Sequence, residues 1–116
     1  MAYDEALAGR VRSRIGGERA LTERKMFGGL AFLLEGSIAL AASGKGGLMA
    51  RVDPDEGALL LAQDGVAPML MNRRRMRGWL LVSPDVVADD AALDEWVARS
   101  VRYVRDVINA ADAREA

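Results

Sequence analysis

The sequence has 116 residues, 51% hydrophobic and 28% charged, a balance that suits one folded domain and argues against intrinsic disorder. Its 16 Lys and Arg against 17 Asp and Glu give a formal net charge of −1, so no global basic excess supports a dedicated nucleic-acid binder. With no Cys and no His, disulfides, thiolate metal sites, thiol nucleophiles, Ser-His-Asp triads and Cys-His pairs are excluded on inventory.

The start, Met1 to Glu5, is acidic and is followed by no apolar run of the kind that drives secretion. The longest nearly apolar run, Gly28 to Leu34, is too short to cross a bilayer. A cytoplasmic protein without a membrane partner is expected.

Asp4 to Ile15 reads as a first helix, with Leu7, Val11 and Ile15 on one stripe. Gly16-Gly17 supplies a C′-type stop. Thr22 to Phe27 reads as a strand interrupted by a bulge at Gly28-Gly29. Leu30 to Leu34 follows, then a tight turn at Glu35-Gly36, a strand Ser37 to Ala42, a glycine-rich turn Ser43 to Gly47, and a strand Leu48 to Val52. Asp53-Pro54-Asp55-Glu56 is a cap, an N1 proline and an acidic first turn, and Leu59, Leu60 and Leu61 supply that helix's apolar side. Val66 to Met71 and Met76 to Val82 flank Asn72-Arg73-Arg74-Arg75 as a second hairpin, where Pro68 demands an edge or a bulge. Ser83-Pro84 opens a short helical turn to about Ala88. A final helix runs from Ala91 to about Ala111, with Leu93, Val97, Val101, Val104 and Ile108 as its stripe and Glu95 and Arg99 as an i,i+4 pair.

Turns this short exclude parallel crossovers. The expected fold is therefore α+β: two layers, an antiparallel sheet of about five strands and three helices in the order α-β-β-β-α-β-β-α, as one domain over residues 1–116.

Four stretches carry a resemblance: Thr22 to Gly29 with its Arg-Lys-Met-Phe-Gly-Gly core, Phe32 to Gly36, Pro68-Met69, and Met76-Arg77-Gly78-Trp79. Over roughly residues 3 to 109 the chain resembles the TfoX N-terminal domain family, the domain also found at the front of Sxy-type competence regulators. The resemblance implies a fold like that of secretion chaperones and brings no catalytic residues with it. In two-domain members a helical region associated with activation of competence genes follows this domain. No counterpart of that region is expected within these 116 residues.

Two cationic clusters are the candidate binding residues. Arg24 and Lys25 lie beside Gly28 and Gly29, either as an edge that a partner or anion approaches or as exposed neighbours of a bulged strand whose Met26 and Phe27 enter the core. Arg73, Arg74, Arg75 and Arg77 can grip phosphate or an acidic partner, or form a solvated hairpin tip; the lack of interleaved aromatics counts against single-strand recognition. Ser43 to Gly47 lacks P-loop spacing and reads as a hairpin loop. Met69, Met71 and Met76 with Trp79 read as core, the alternative being an adaptable contact surface. Asp85, Asp89, Asp90, Asp94 and Glu95 read as helix caps in preference to a metal site. The expected function is a non-enzymatic regulatory or protein-interaction domain, linked through the resemblance to transcriptional regulation. The alternative is a nucleic-acid module using Arg24, Lys25 and Arg73 to Arg77. No cofactor is expected. The expected partner is a protein, with a homodimer through an exposed strand edge as one form of it.

Overall fold

The computed structural model describes residues 3–26 and 28–115. Phe27, expected in the core, lies outside them. The elements are α1 (Glu5–Ile15), β1 (Leu21–Met26), β2 (Gly29–Leu34), β3 (Ser37–Ala42), β4 (Leu48–Arg51), α2 (Pro54–Leu60), β5 (Val66–Met71), β6 (Arg74–Val82), α3 (Pro84–Val87) and α4 (Asp90–Tyr103). Beyond α4 the same rod widens into a π turn, Val104–Asn109, and closes with an α turn, Ala110–Glu115.

The helix starts follow the polar residues that can satisfy free N–H groups. Asp4 Oδ1 accepts from Leu7 N at 3.1 Å, Asp53 Oδ1 from Asp55 N and Glu56 N at 2.9 and 3.2 Å, and Asp89 Oδ2 from Ala92 N at 2.9 Å. Ser83 accepts from Val86 N, and proline follows both Asp53 and Ser83 as the first helical residue.

All strands pair antiparallel, in the order β1-β2-β3-β4-β6-β5. The fold is α+β as expected, but among the described residues it has six strands and four helices where about five and three were expected. One cause is the glycine pair. Met26 pairs with Gly29 and Gly28 sits in the turn at φ +73°, so the glycines close a β1–β2 hairpin and do not bulge a single strand. A Cβ at Gly29 would overlap the Ala42 carbonyl oxygen. One glycine thus serves conformation and the other space. A second departure is Gly16, whose φ of −61° is right-handed, so α1 ends there without the left-handed cap expected of it.

Cross-strand partners share a face of a sheet. One face presents Leu30, Phe32, Leu40, Leu48, Leu80 and Val82, and the buried apolar residues of all four helices join these in one cluster. Leu7, Val11 and Ile15 of α1 and Leu93, Val97 and Val104 of the last rod are buried there, as their stripes dictate. Leu59, expected on the apolar side of α2, is 77% exposed, while Leu60 is buried. Arg99 does not pair with Glu95. Its guanidinium lies over the Trp96 ring at 4.5 Å and meets Glu56 at 3.5 Å.

Ion pairs fasten the helical layer. Arg10 meets Asp90 at 2.8 Å, and Arg14 meets both Asp90 and Asp94, so two of the expected cap carboxylates clamp α1 to α4. Arg105 binds Glu18, Glu35 and the Arg19 carbonyl. Arg12 makes a bidentate pair with Glu23 of β1, at 2.6 and 2.8 Å. The hydrogen bonds from Arg12 lower the Glu23 carboxyl below its ordinary range most; partial burial pushes the other way, and the guanidinium charge adds to the lowering.

Candidate functional site: a helix-free apolar groove

The other face of the sheet carries a second apolar cluster. Ala31, Leu33, Ala41 and Met49 are buried in it, with Met26, Ile38, Met69, Trp79 and Leu81 packed around them. Among the described residues no helical residue belongs to this cluster. Something other than a helix shields these side chains, and that something is the sheet's own curvature.

The curvature is measurable. A flat sheet of this strand order would hold β1 and β5 roughly 24 Å apart, five steps of about 4.8 Å. Yet one open cavity of about 310 Å³ is lined by Met26 at the end of β1 and by Met69 and Met71 of β5. The bend lies in β6. Pairing runs from Pro68–Leu80 to Leu70–Arg75, so Met69 stands opposite the whole stretch Met76–Trp79. Gly78 sits in that stretch at φ +82°, and its carbonyl accepts from Val52 N at 2.7 Å. This irregularity swings the tip of the β5–β6 hairpin across the helix-free face.

Four of the six methionines, Met26, Met49, Met69 and Met71, line the groove, with Ala41 and Leu81 between them. Met69 and Met71 were expected in the core; Met69 packs half-buried against the second cluster, whereas Met71, 41% exposed beside Leu70 at 58%, stands on an accessible wall. Met76 stands apart, in a smaller hollow beside α2. Trp79 flanks the cluster under the Arg51 guanidinium, 4.8 Å from its ring centroid. Among the described residues the lining contains no carboxylate and one cation, Lys45. Lys45 stands in the Ser43–Gly47 turn, which orders itself: Lys45 N donates to Ser43 Oγ at 3.1 Å and Gly46 N to Ser43 O at 3.1 Å.

The two cationic clusters occupy opposite ends of the strand order. Arg24 is exposed on the groove face of β1, opposite Ala31, and Lys25 on the helix face, opposite Leu30. Gly29 lines the groove. Arg73 forms the hairpin turn with Asn72, both at positive φ, and Arg74 and Arg75 pair with Met71 and Leu70. Arg77 leaves this group to pair with Asp55 at 3.2 Å. Among the described residues, Arg24, Lys25, Lys45, Arg73, Arg74 and Arg75 form no ion pair.

Sequence reasoning missed Met26, Ala41, Met49, Leu70, Leu81 and Lys45 as neighbours in one groove. A signal for it was present: Leu30 to Leu34 is apolar at every position, and a strand apolar on both sides requires cover on both sides. Among the described residues, no helix is long and apolar enough to cross a membrane, and no group of three His, Cys, Asp or Glu could hold a metal ion.

Architecture and groove together define a class: a small α+β domain with helices on one side of a curled antiparallel sheet and an apolar trough on the other. A family model for the TfoX N-terminal domain matches residues 15–104, and the chain belongs to that family. No curated protein and no solved structure matches the chain significantly.

Proposed function

We propose that the chain is a non-enzymatic interaction domain of the TfoX N-terminal type that meets a protein partner with the helix-free face of its sheet. The observation that supports this is the groove itself, apolar side chains collected where no helix covers them. Exposed apolar concavities of this kind mark contact sites, and thioethers adapt to differently shaped partners. Among the described residues the lining includes one lysine and one serine, which is a poor set for acid–base or nucleophilic chemistry. We propose transcriptional regulation as the process served, a reading supported by the resemblance to the domain of competence regulators.

Contact through the face is favoured over strand addition because both edges are blunted. β1 exposes Glu23, Arg24 and Lys25 in succession, and β5 is interrupted at Pro68. Arg24 and Arg73 to Arg75 then flank the contact and select acidic surfaces.

The test compares capture from the native host by the wild-type chain and by Met69→Glu, with circular dichroism confirming that both are folded. The wild type is expected to retain a partner that Met69→Glu loses. Equal retention by both, or none by either, refutes the reading. Light scattering on the same samples shows whether that partner is a second copy.

A further inference from the structure

We infer that the groove binds a linear aliphatic carboxylate of medium chain length, its tail among Met26, Met49, Met69 and Met71 and its carboxylate at Lys45. The inference rests on the helix-free face being the contact surface, and it supplies that face with a small-molecule ligand.

Size, shape and charge each contribute. A volume of about 310 Å³ lies at the lower end of the range for small-molecule sites, about 300–1,000 Å³. Flexible thioethers on opposite walls suit a flexible chain better than a rigid ring system. Apart from the Ser43–Lys45 turn, the residues lining the trough carry apolar side chains. A polymethylene chain leaves nothing unsatisfied there.

The polar end of the ligand is set by charge. Among the described residues Lys45 is the one ionic residue in the lining, and Arg24 stands on the same face of β1 two residues from Met26. Arg51, also on this face, is held over Trp79 and reaches the Ile38 carbonyl. Among the described residues the strands bring no Asp or Glu to this face: Glu23 faces the helices and binds Arg12. The Ser43, Lys45 and Gly46 N–H groups bond within the turn, and the charge that meets the anion there is the Lys45 ammonium. A cationic or neutral head group finds no counterpart.

The experiment uses the full chain with ¹³C-methyl-labelled methionine, titrated with decanoate below its micelle-forming concentration. The Met26, Met49, Met69 and Met71 methyl signals are expected to shift together and saturate while Met76 stays in place. Shortening the ligand to octanoate is expected to weaken binding roughly fifteenfold, about fourfold for each methylene withdrawn from the groove. Lys45→Glu is expected to weaken decanoate about tenfold and to leave decanol unchanged. Decanol matching decanoate, decyltrimethylammonium exceeding it, or Met76 shifting with the other four would overturn the assignment. So would the absence of any response, and that result would leave the protein-contact reading standing, because partner capture by Met69→Glu scores it separately.

Discussion

Replacing Gly78 by Ala and Gly9 by Ala makes the same covalent change at two sites, and the structure assigns the two opposite signs. At Gly78 φ is +82°, where an L side chain costs about 1–2 kcal/mol. The new Cβ would stand 2.7 Å from the Val52 carbonyl oxygen and 3.3 Å from Pro54 Cγ, so the β6 bend and the start of α2 cannot both keep their places. Moving them apart weakens the Val52 N–H bond to the Gly78 carbonyl, a further loss of about 1 kcal/mol. The sum is about 3 kcal/mol, or roughly 12 °C in Tm for a domain of this size. Gly9 lies within α1 with nothing inside 4 Å of its would-be Cβ. Alanine there is expected to add about 0.5–1 kcal/mol through helix propensity. Urea unfolding followed by tryptophan fluorescence, with Tm from calorimetry, reads both. A Gly78→Ala protein within 1 kcal/mol of wild type, or a Gly9→Ala protein that loses stability, refutes the reasoning.

Other outcomes follow from single contacts. Ser100 is fully buried in α4 and its Oγ has no hydrogen-bond partner among the described residues, so Ser100→Ala is expected to gain about 1 kcal/mol in chemical denaturation. Glu23 has a folded-state pKa below its unfolded one, so its contribution is present above the unfolded value of about 4.3 and vanishes as pH falls through the folded one. Wild type should therefore exceed Glu23→Gln in stability at pH 7, and the gap should close below about pH 4. A gap that persists in acid would show that the Arg12 pairing is not its source. A low-salt titration with duplex DNA is expected to give no saturable binding. Saturable binding that falls steeply with salt and is lost when Arg73, Arg74 and Arg75 become Ser would replace the protein-partner reading.

Local rules made the helix starts legible, because Asp53-Pro54 and Ser83-Pro84 state their structure within a few residues. The stripes Leu7-Val11-Ile15 and Leu93-Val97-Val104 were legible for the same reason: one helix face is a short-range pattern. The family was legible too, since Gly29 and Gly78 are demanded by neighbouring backbone carbonyls that no side chain can displace. What escaped was the product of long-range geometry. That Met26 and Met69 face each other across one trough depends on how far the strands curl, which no window of sequence records. The Gly28-Gly29 error was of another kind. A bulge and a two-residue hairpin both ask for glycine, and the choice between them rests on whether residue 26 pairs with residue 29 or continues onward.

The arginine clamp between α1 and α4 has a practical side. Arg10 and Arg14 lock the opening helix against the beginning of the closing rod, and both elements lie behind the sheet, away from the trough. A reporter or affinity handle attached to the outer side of either element therefore sets out from the rear of the sheet, and the methionine-lined surface can be presented to candidate ligands on a support or in a tethered assay.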